Sequence, residues 1–252
     1  KKKKLTCNKD PSHSLFIDQL IHGPQLELFQ LMFFLLVMLF LMLFEKKKSI
    51  LYMLLAGINY GLLLSTKTVS TYFPLFFIWL FIVALLVKSF KIRQWVLLHI
   101  IGITIFVMTY LRFFILGGTL RQFLGVQKYI VLFYKQSGIN VIDFAGNYLR
   151  LIFTGSWKFW STNSPLSYYD QWSITWPFIF ITGIVVIIYL YKKNKIPFLP
   201  IEKMLVVFII LYNMFLFIVP MFPRYLLLLF IPMMLLISIY FHRFLKYEKI
   251  KK

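Results

Sequence analysis

The amino-acid sequence predicts an all-α membrane protein: a polytopic bundle of about seven transmembrane helices with a helical segment at its outer face. Three observations predict this fold. Of the 252 residues, 60% are hydrophobic and only 14% are charged, whereas soluble domains average about 45–50% apolar and about 25% charged residues. The mean hydropathy is strongly positive, at +0.79. The apolar residues also occur in runs long enough to form spans.

Seven apolar runs approach the length that a span requires. A helix rises 1.5 Å per residue, so about 20 mostly apolar residues cross a hydrocarbon core of roughly 30 Å. The predicted spans are 26–44, 50–64, 72–87, 94–116, 176–191, 204–219 and 225–241. They divide the chain into an outer N-terminal segment (1–25), four helices (26–116), an extracytoplasmic segment (117–171), and three helices with a basic tail (172–252).

The basic residues predict the orientation of these spans. Lysine and arginine number 28 against 8 acidic residues, which gives a net charge of +20. They cluster on alternate connections and at the C-terminus, which the positive-inside rule places in the cytoplasm. We therefore expect a multi-pass integral membrane protein with a cytoplasmic C-terminus. Its basic charge then serves orientation in the lipid bilayer, and no nucleic-acid partner is expected. The lone cysteine, Cys7, excludes an intramolecular disulfide.

The long outer connection 117–171 carries a helical pattern of its own. Phe123, Val126, Ile130 and Phe133 recur at helical spacing between basic residues, which predicts an amphipathic helix on the outer interface. We expect 140–153 to form a second one. A dense group of aromatic residues follows, as in the aromatic belts that anchor proteins at headgroup level. This group comprises Trp157, Trp160, Tyr168, Tyr169, Trp172 and Trp176.

Two cations lie in short outer turns, where the positive-inside rule disfavours them. Lys67 lies in the turn 65–68, and Arg224 lies in the turn 220–225. We expect an anionic phosphate as their partner, because arginine offers a bidentate fork and lysine a point charge. The alternative is ordinary snorkelling to outer-leaflet headgroups. Arg112, near the outer end of the fourth span, is a third candidate.

No residue pattern of a soluble enzyme is present, and the candidates for acid–base chemistry are few. The outer carboxylates are Asp10, Asp18, Glu27, Asp143 and Asp170. A general base would come from such a group, but each is better explained as a solvated charge or helix cap. The four histidines are scattered and support no metal site. We expect His99, inside a span, to be packed or bonded to its own helix.

Four segments together resemble a known enzyme superfamily. The stretch 55–67 (Leu-Ala-Gly-Ile-Asn-Tyr-Gly-Leu-Leu-Leu-Ser-Thr-Lys) is followed by Pro74. The others are 25–29, then Ser164-Pro165 with the Trp-Pro pair at 176–177, and then Pro223-Arg224-Tyr225 before a leucine-rich helix. Taken in chain order, they resemble segments of the C-type glycosyltransferases, in particular members like the protein O-mannosyltransferases. The chain departs from the family near 22–24, where His-Gly-Pro replaces an acidic residue.

The resemblance implies a membrane enzyme that moves a sugar, mannose-like, from a polyprenyl-phosphate carrier to a protein or glycan acceptor at the outer face. Lys67, Arg224 and Arg112 would bind the lipid phosphate. Trp172, Trp176 and Tyr225 would lie in the substrate region. The lipid-linked sugar is the donor, and no cofactor is implied. The resemblance leaves room for a divalent metal, but no residues argue for one.

The family's catalytic acid lies on an outer loop that precedes the matched segments, so we expect this chain to be the C-terminal portion of a longer enzyme. Asp18 and Asp170 are the fallback candidates for the base. Eukaryotic members carry a large lumenal domain where this chain has only 117–171, which favours a prokaryotic cytoplasmic membrane.

A second class remains open: a noncatalytic polytopic membrane protein, such as a transporter or flippase subunit. The absence of an internal repeat and of a midplane acid argues against a proton-coupled carrier. Gly57 and Gly61, four residues apart, fit close helix packing in either class.

Overall fold

The computed structural model describes residues 26–66, 69–87, 90–136, 145–158, 165–192 and 198–251. This part of the chain is 81% helix and 3% strand, so the expectation of a helical protein is confirmed. The α-helices are α1 Leu26–Lys47, α2 Ile50–Ser65, α3 Val69–Leu86, α4 Ile92–Met108, α5 Leu111–Ile115, α6 Leu120–Gln136, α7 Asn147–Thr154, α8 Thr175–Lys192, α9 Pro200–Leu216 and α10 Leu227–Lys251. A 3-10 turn, Pro223–Leu226, precedes α10, and strands β1 Ser156–Lys158 and β2 Leu166–Tyr168 form an antiparallel hairpin.

Each of the seven predicted apolar runs contains a helix, but one run is interrupted. The run 94–116 was expected as a single span, whereas α4 ends at Met108 and the short α5 follows a turn at Thr109. The Thr109 hydroxyl donates to the carbonyl of Phe106, at 2.6 Å, and lies 3.2 Å from the Ser65 hydroxyl at the end of α2. Such side-chain bonds to the backbone compete with helix continuation.

Within the described residues, three helices are long and apolar enough to cross a membrane by length and composition. They are Leu26–Lys47, Thr175–Lys192 and Pro223–Lys246, and the apolar helices Ile50–Ser65, Tyr72–Leu86 and Ile92–Met108 are shorter. Exposed faces are apolar as well: Phe178, Ile181, Val185 and Ile188 form an outward stripe on α8. Because soluble proteins rarely expose such surfaces, the fold indicates a membrane protein.

The helix α2 lies between α1 and α4. A Cβ atom added at Gly61 would lie 2.5 Å from the carbonyl oxygen of Gly102. A Cβ atom added at Gly102 itself would lie 2.3 Å from the Tyr60 ring. Glycine at these positions therefore permits backbone contact between α2 and α4, and the expectation of close packing is confirmed.

Ion pairs and aromatic contacts between helix ends show which ends lie on the same side of the bundle. At one end, Glu27 of α1 pairs with Arg224 before α10, and the ring of Tyr148 packs on Phe217 after α9, with 5.0 Å between ring centroids. At the other end, Glu202 of α9 pairs with Arg243 of α10. We name these the outer and the inner end, following the orientation that the basic clusters predict.

The core between α1, α3 and α9 is aromatic. The rings of Phe34 and Phe208 lie 4.0 Å apart, and Phe76 stacks on Phe208 at 6.0 Å. The indole of Trp79 donates a hydrogen bond to the carbonyl of Met204, at 2.9 Å. This aromatic layer packs the three helices against one another.

The segment 117–171 forms α6, α7 and the hairpin. The first amphipathic helix is present as α6, and Phe123 on it is buried against Tyr110, 4.9 Å away. The second is shorter than expected, because α7 begins at Asn147 after a left-handed Gly146, and 137–144 lie outside the described residues. The hairpin β1–β2 was not predicted.

The aromatic residues of this segment divide into buried and exposed ones. Trp157 and Trp176 are buried inside the protein, whereas Tyr168 is exposed. Trp160 lies outside the described residues. For Trp157 and Trp176, the expectation of interface anchoring is therefore replaced by packing within the protein.

Candidate functional site: a buried polar cluster at the outer end

The first turn of α1 places two polar side chains inside the bundle. Glu27 and Gln30 lie three residues apart, on one face of the helix. Glu27 is 2% exposed and Gln30 is 0% exposed. Because an isolated buried charge is costly, a buried carboxylate requires a partner.

That partner is Arg224, which lies in the 3-10 turn before α10. Its Nε atom is 2.8 Å from Oε1 of Glu27, and the two side chains are 38% and 3% exposed, respectively. The guanidinium carbon also lies 4.8 Å from the ring centroid of Phe222 and 6.0 Å from that of Tyr225. A carboxylate and two aromatic rings therefore position the Arg224 guanidinium.

Two tyrosines extend the polar region into the bundle. The Tyr212 hydroxyl donates a hydrogen bond to the carbonyl of Tyr225, at 2.9 Å. Tyr72 and Tyr212 are both buried, interact through their side chains, and lie within electrostatic range of Glu27. We define the outer polar cluster as Glu27, Gln30, Tyr72, Tyr212, Arg224 and Tyr225, which come from α1, α3, α9 and the 3-10 turn.

Gln30 distinguishes this cluster from a simple ion pair. Its amide nitrogen and oxygen are both buried and find no hydrogen-bond partner among the described residues. An unsatisfied buried polar atom costs about 1–3 kcal/mol, and native proteins pair nearly all of them. The cluster is therefore more polar than the packing of α1 requires, which makes it a candidate binding site.

A second buried ion pair, at the inner end, provides a comparison. Glu202 is 0% exposed and pairs with Nη1 of Arg243. It also accepts a hydrogen bond from the backbone nitrogen of Leu199, at 2.8 Å. Like Glu27, Glu202 lies in the first turn of its helix, where the helix dipole favours an anion. Capping and charge pairing explain this inner pair.

The structure brings only some of the predicted site residues together. Arg224 and Tyr225 are adjacent in the outer polar cluster. Arg112 is exposed on α5, and Asp170 is exposed in the turn before Trp172. The phosphate candidate Lys67 and the fallback base Asp18 lie outside the described residues.

The two tryptophans predicted for the substrate region belong to the packing around α8. The Trp172 indole donates a hydrogen bond to the carbonyl of Ile152, at 2.8 Å. It also covers Gly155, where the backbone adopts φ +69°. Trp176 packs between Tyr169 and Phe230, with ring centroids 5.5 and 5.6 Å away. These contacts join the hairpin region to α8 and α10.

Sequence reasoning missed most of the cluster. Glu27 was expected to be a solvated charge or helix cap like the other outer carboxylates, but it is buried and paired with Arg224. Gln30, Tyr72 and Tyr212 were not singled out. The available signal was a glutamate and a glutamine three residues apart at the start of an otherwise apolar run. Nothing in the sequence indicated which residues of other helices would face them.

The expectation for His99 is confirmed. Its Nδ1 lies 2.9 Å from the carbonyl of Trp95, and its ring packs against Trp95, Phe77 and Tyr60 at 4.5, 4.8 and 5.1 Å. Among the described residues, no group of three or more histidine, cysteine or acidic side chains is placed to hold a metal ion.

The fold and the cluster together define a helical membrane protein with a buried polar centre near one end of its bundle. Comparisons of the chain with protein-family models, with curated proteins and with solved structures found no match.

Proposed function

We propose that this chain is the membrane portion of a glycosyltransferase that moves a mannose-like sugar from a polyprenyl-phosphate carrier to a protein or glycan acceptor at the outer face. In this proposal the outer polar cluster binds the phosphate of the carrier. The observation that carries the proposal is the placement of Arg224. It pairs with buried Glu27, three residues before Gln30, whose amide is unpartnered among the described residues. It lies in a turn whose predicted side of the membrane is the one that the positive-inside rule disfavours for a cation.

The net charge of the outer polar cluster shows that a bound phosphate needs a further cation. Glu27 neutralises Arg224, so the pair alone carries no net charge. A phosphate would meet the exposed part of the guanidinium, where charge-assisted hydrogen bonds are strong. A second cation is then required, and we propose Lys67, which follows the outer end of α2 in the sequence. Preorganised cations at such a site would stabilise the phosphate leaving group.

We further propose seven spans, with the outer end facing out of a prokaryotic cytoplasmic membrane and the C-terminus in the cytoplasm. The geometry of α10 supports this arrangement. Arg224 and Arg243 are separated by about 29 Å along the helix axis, close to the roughly 30 Å of a hydrocarbon core. Each arginine pairs with a glutamate in the first turn of another helix, as expected for charges at the two membrane boundaries.

The remaining predicted site residues have secondary roles in the proposed enzyme. Trp172, Trp176 and Tyr225 would border the acceptor region, and Arg112 would contact outer-leaflet phosphates. Asp170 is exposed on the outer connection and is the fallback base among the described residues, with Asp18 as the other.

One observation favours the noncatalytic alternative. Because Glu27 already supplies a partner for Arg224, the ion pair could serve only to join α1 to α10, as Glu202 and Arg243 join α9 to α10. A transporter or flippase subunit would need no more than this.

Lipid binding tests whether the outer polar cluster binds a phosphate or whether its ion pair only joins helices. The full chain in nanodiscs would be titrated with polyprenyl phosphate and with the uncharged polyprenol of the same length. We expect Arg224→Gln to weaken phosphate binding by about tenfold to a hundredfold, the worth of a hydrogen bond to a charged group, and to leave polyprenol binding unchanged. Lys67→Ala should weaken phosphate binding as well.

Arg243→Gln is the matched control, because it breaks the comparable ion pair at the inner end. It should leave phosphate binding unchanged. Equal losses in both arginine variants, or equal binding of the phosphate and the alcohol by the unmodified chain, would contradict the proposal and favour a structural ion pair.

A further inference from the structure

A pocket opens at the inner end of the bundle, far from the outer polar cluster. Its volume is about 410 Å³, and its lining comprises Phe44, Lys48, Ile50, Lys91 and Gln94. These residues come from the end of α1, the start of α2 and the start of α4. Because α2 packs against both neighbours, the three helix ends form one concave surface.

The charge of this surface is strongly positive. Lys46 and Lys47 are the last residues of α1, and Lys48 follows them. Lys91 immediately precedes α4, and Arg93 lies in its first turn. Glu45 is the acidic residue within these segments. Lys47 is turned towards the Tyr52 ring, 5.5 Å from its centroid, whereas Lys48 and Lys91 line the pocket itself. The pocket thus receives one lysine from each side.

Two helix N-termini add to this positive potential. α2 begins at Ile50 and α4 at Ile92. The N-cap residue Ser49 makes no side-chain hydrogen bond to α2, whereas at α4 the backbone nitrogen of Lys91 donates to Oε1 of Gln94. First-turn backbone N–H groups and the helix dipole both favour an anion at such a position. The exposed side chain of Ile50 also lines the pocket, so charge and apolar surface lie side by side.

The backbone at Lys48 adopts a left-handed conformation at the end of α1. Lys48 has φ +55° and is the one non-glycine residue with positive φ among those the structure describes. Its backbone nitrogen closes α1 by donating to the carbonyl of Phe44, at 2.8 Å. Glycine is the usual residue at a helix end of this kind, because other side chains are strained in the left-handed region. Lysine at position 48 is therefore less stable than glycine would be, and its charged side chain lines the pocket.

We propose that this pocket binds the phosphate of an anionic phospholipid headgroup, with Lys48 and Lys91 as its cations. Free phosphate offers the same charge, but the apolar residues beside the lysines match a ligand that carries acyl chains. Basic pockets between helices at the cytoplasmic side are a known mode of lipid recognition. The inference depends on the chain lying in a membrane and is independent of sugar transfer at the outer end.

The test compares ligands on the full chain purified in a neutral detergent. Phosphatidylglycerol, zwitterionic phosphatidylcholine and inorganic phosphate would each be titrated, with binding followed by native mass spectrometry. We expect tight binding of phosphatidylglycerol only. Lys48→Gln with Lys91→Gln should weaken it about tenfold or more. The matched control, Lys46→Gln with Lys192→Gln, removes two exposed lysines outside the pocket and should have a smaller effect.

Lys48→Gly provides a test that does not risk misfolding. Because glycine relieves the left-handed strain, this variant should unfold at a higher temperature than the unmodified chain while binding phosphatidylglycerol more weakly. Equal losses in the pocket and control variants would overturn the proposal, because they would indicate general surface attraction. Inorganic phosphate binding as tightly as the lipid would overturn the headgroup assignment, as would unchanged lipid affinity in Lys48→Gly.

Discussion

Breaking the Glu27–Arg224 ion pair from either side should have unequal effects on stability. In Arg224→Met the Glu27 carboxylate stays inside the bundle, with its side chain 3% exposed, without its cation. In Glu27→Gln the arginine that remains is already 38% exposed and can be hydrated. The arginine substitution should therefore destabilise the fold more than the glutamate substitution.

The magnitudes follow from these exposures. Removing one partner of a fully buried ion pair costs about 3–5 kcal/mol. Water reaches the Arg224 side of this pair, and the first turn of α1 stabilises the Glu27 charge, so we expect about 3 kcal/mol for Arg224→Met. For Glu27→Gln we expect about 1 kcal/mol, the typical worth of a hydrogen bond. The double variant should cost less than the sum, because the two residues are in contact.

The assay is equilibrium unfolding in mixed detergent micelles, followed by tryptophan fluorescence. The same single and double variants of Glu202 and Arg243 provide a control at the inner end. Arg243 is 19% exposed, so its substitution should again destabilise the fold more than substitution of the glutamate. A loss of stability in Glu27→Gln as large as that in Arg224→Met, or simple addition of the two single effects in the double variant, would refute this prediction.

Three further predictions concern packing and titration. Gly61→Ala should destabilise the protein by about 1–3 kcal/mol through overpacking. At Gly125 an added Cβ meets nothing within 4 Å, so Gly125→Ala should stabilise α6 by up to about 1 kcal/mol. Chemical unfolding of both variants measures these two effects. Trp172→Phe removes the hydrogen bond to α7 and should cost about 1 kcal/mol, measured in the same way. Burial raises the pKa of Tyr148 to about 12. The stabilising contribution of the Tyr148 side chain should therefore be complete below pH 10 and be lost as the pH rises to 12. Absorbance titration should show one tyrosine that ionises near pH 12 in the unmodified chain and is missing in Tyr148→Phe.

Much of the helical architecture could be predicted because the apolar runs are so pronounced. A helix begins at Ile50, where the second predicted run begins, and α8 begins within one residue of its predicted start. The break after Met108 escaped prediction because it depends on how the Thr109 side chain bonds to its own backbone and to α2. The hairpin has strands of three residues each, too short to show an alternating pattern.

The candidate site was predicted in part for a physical reason. Arg224 was found because a cation in an outer turn conflicts with the positive-inside rule. Its partner Glu27 is nearly the whole chain away in sequence, and the pairing exists only because α1 packs against α10. Gln30, Tyr72 and Tyr212 come together in the same way, from helices whose neighbours are set by tertiary packing.

Membrane orientation is the claim on which the outer site depends, and cysteine labelling tests it directly. With Cys7 replaced by serine, Asp170→Cys and Lys192→Cys place one thiol on each side of α8, whose length and composition suit a span. A membrane-impermeant maleimide applied to intact cells should label the Asp170→Cys variant, and should label the Lys192→Cys variant only after lysis. Labelling of both variants from outside, or of Lys192→Cys alone, would contradict the account.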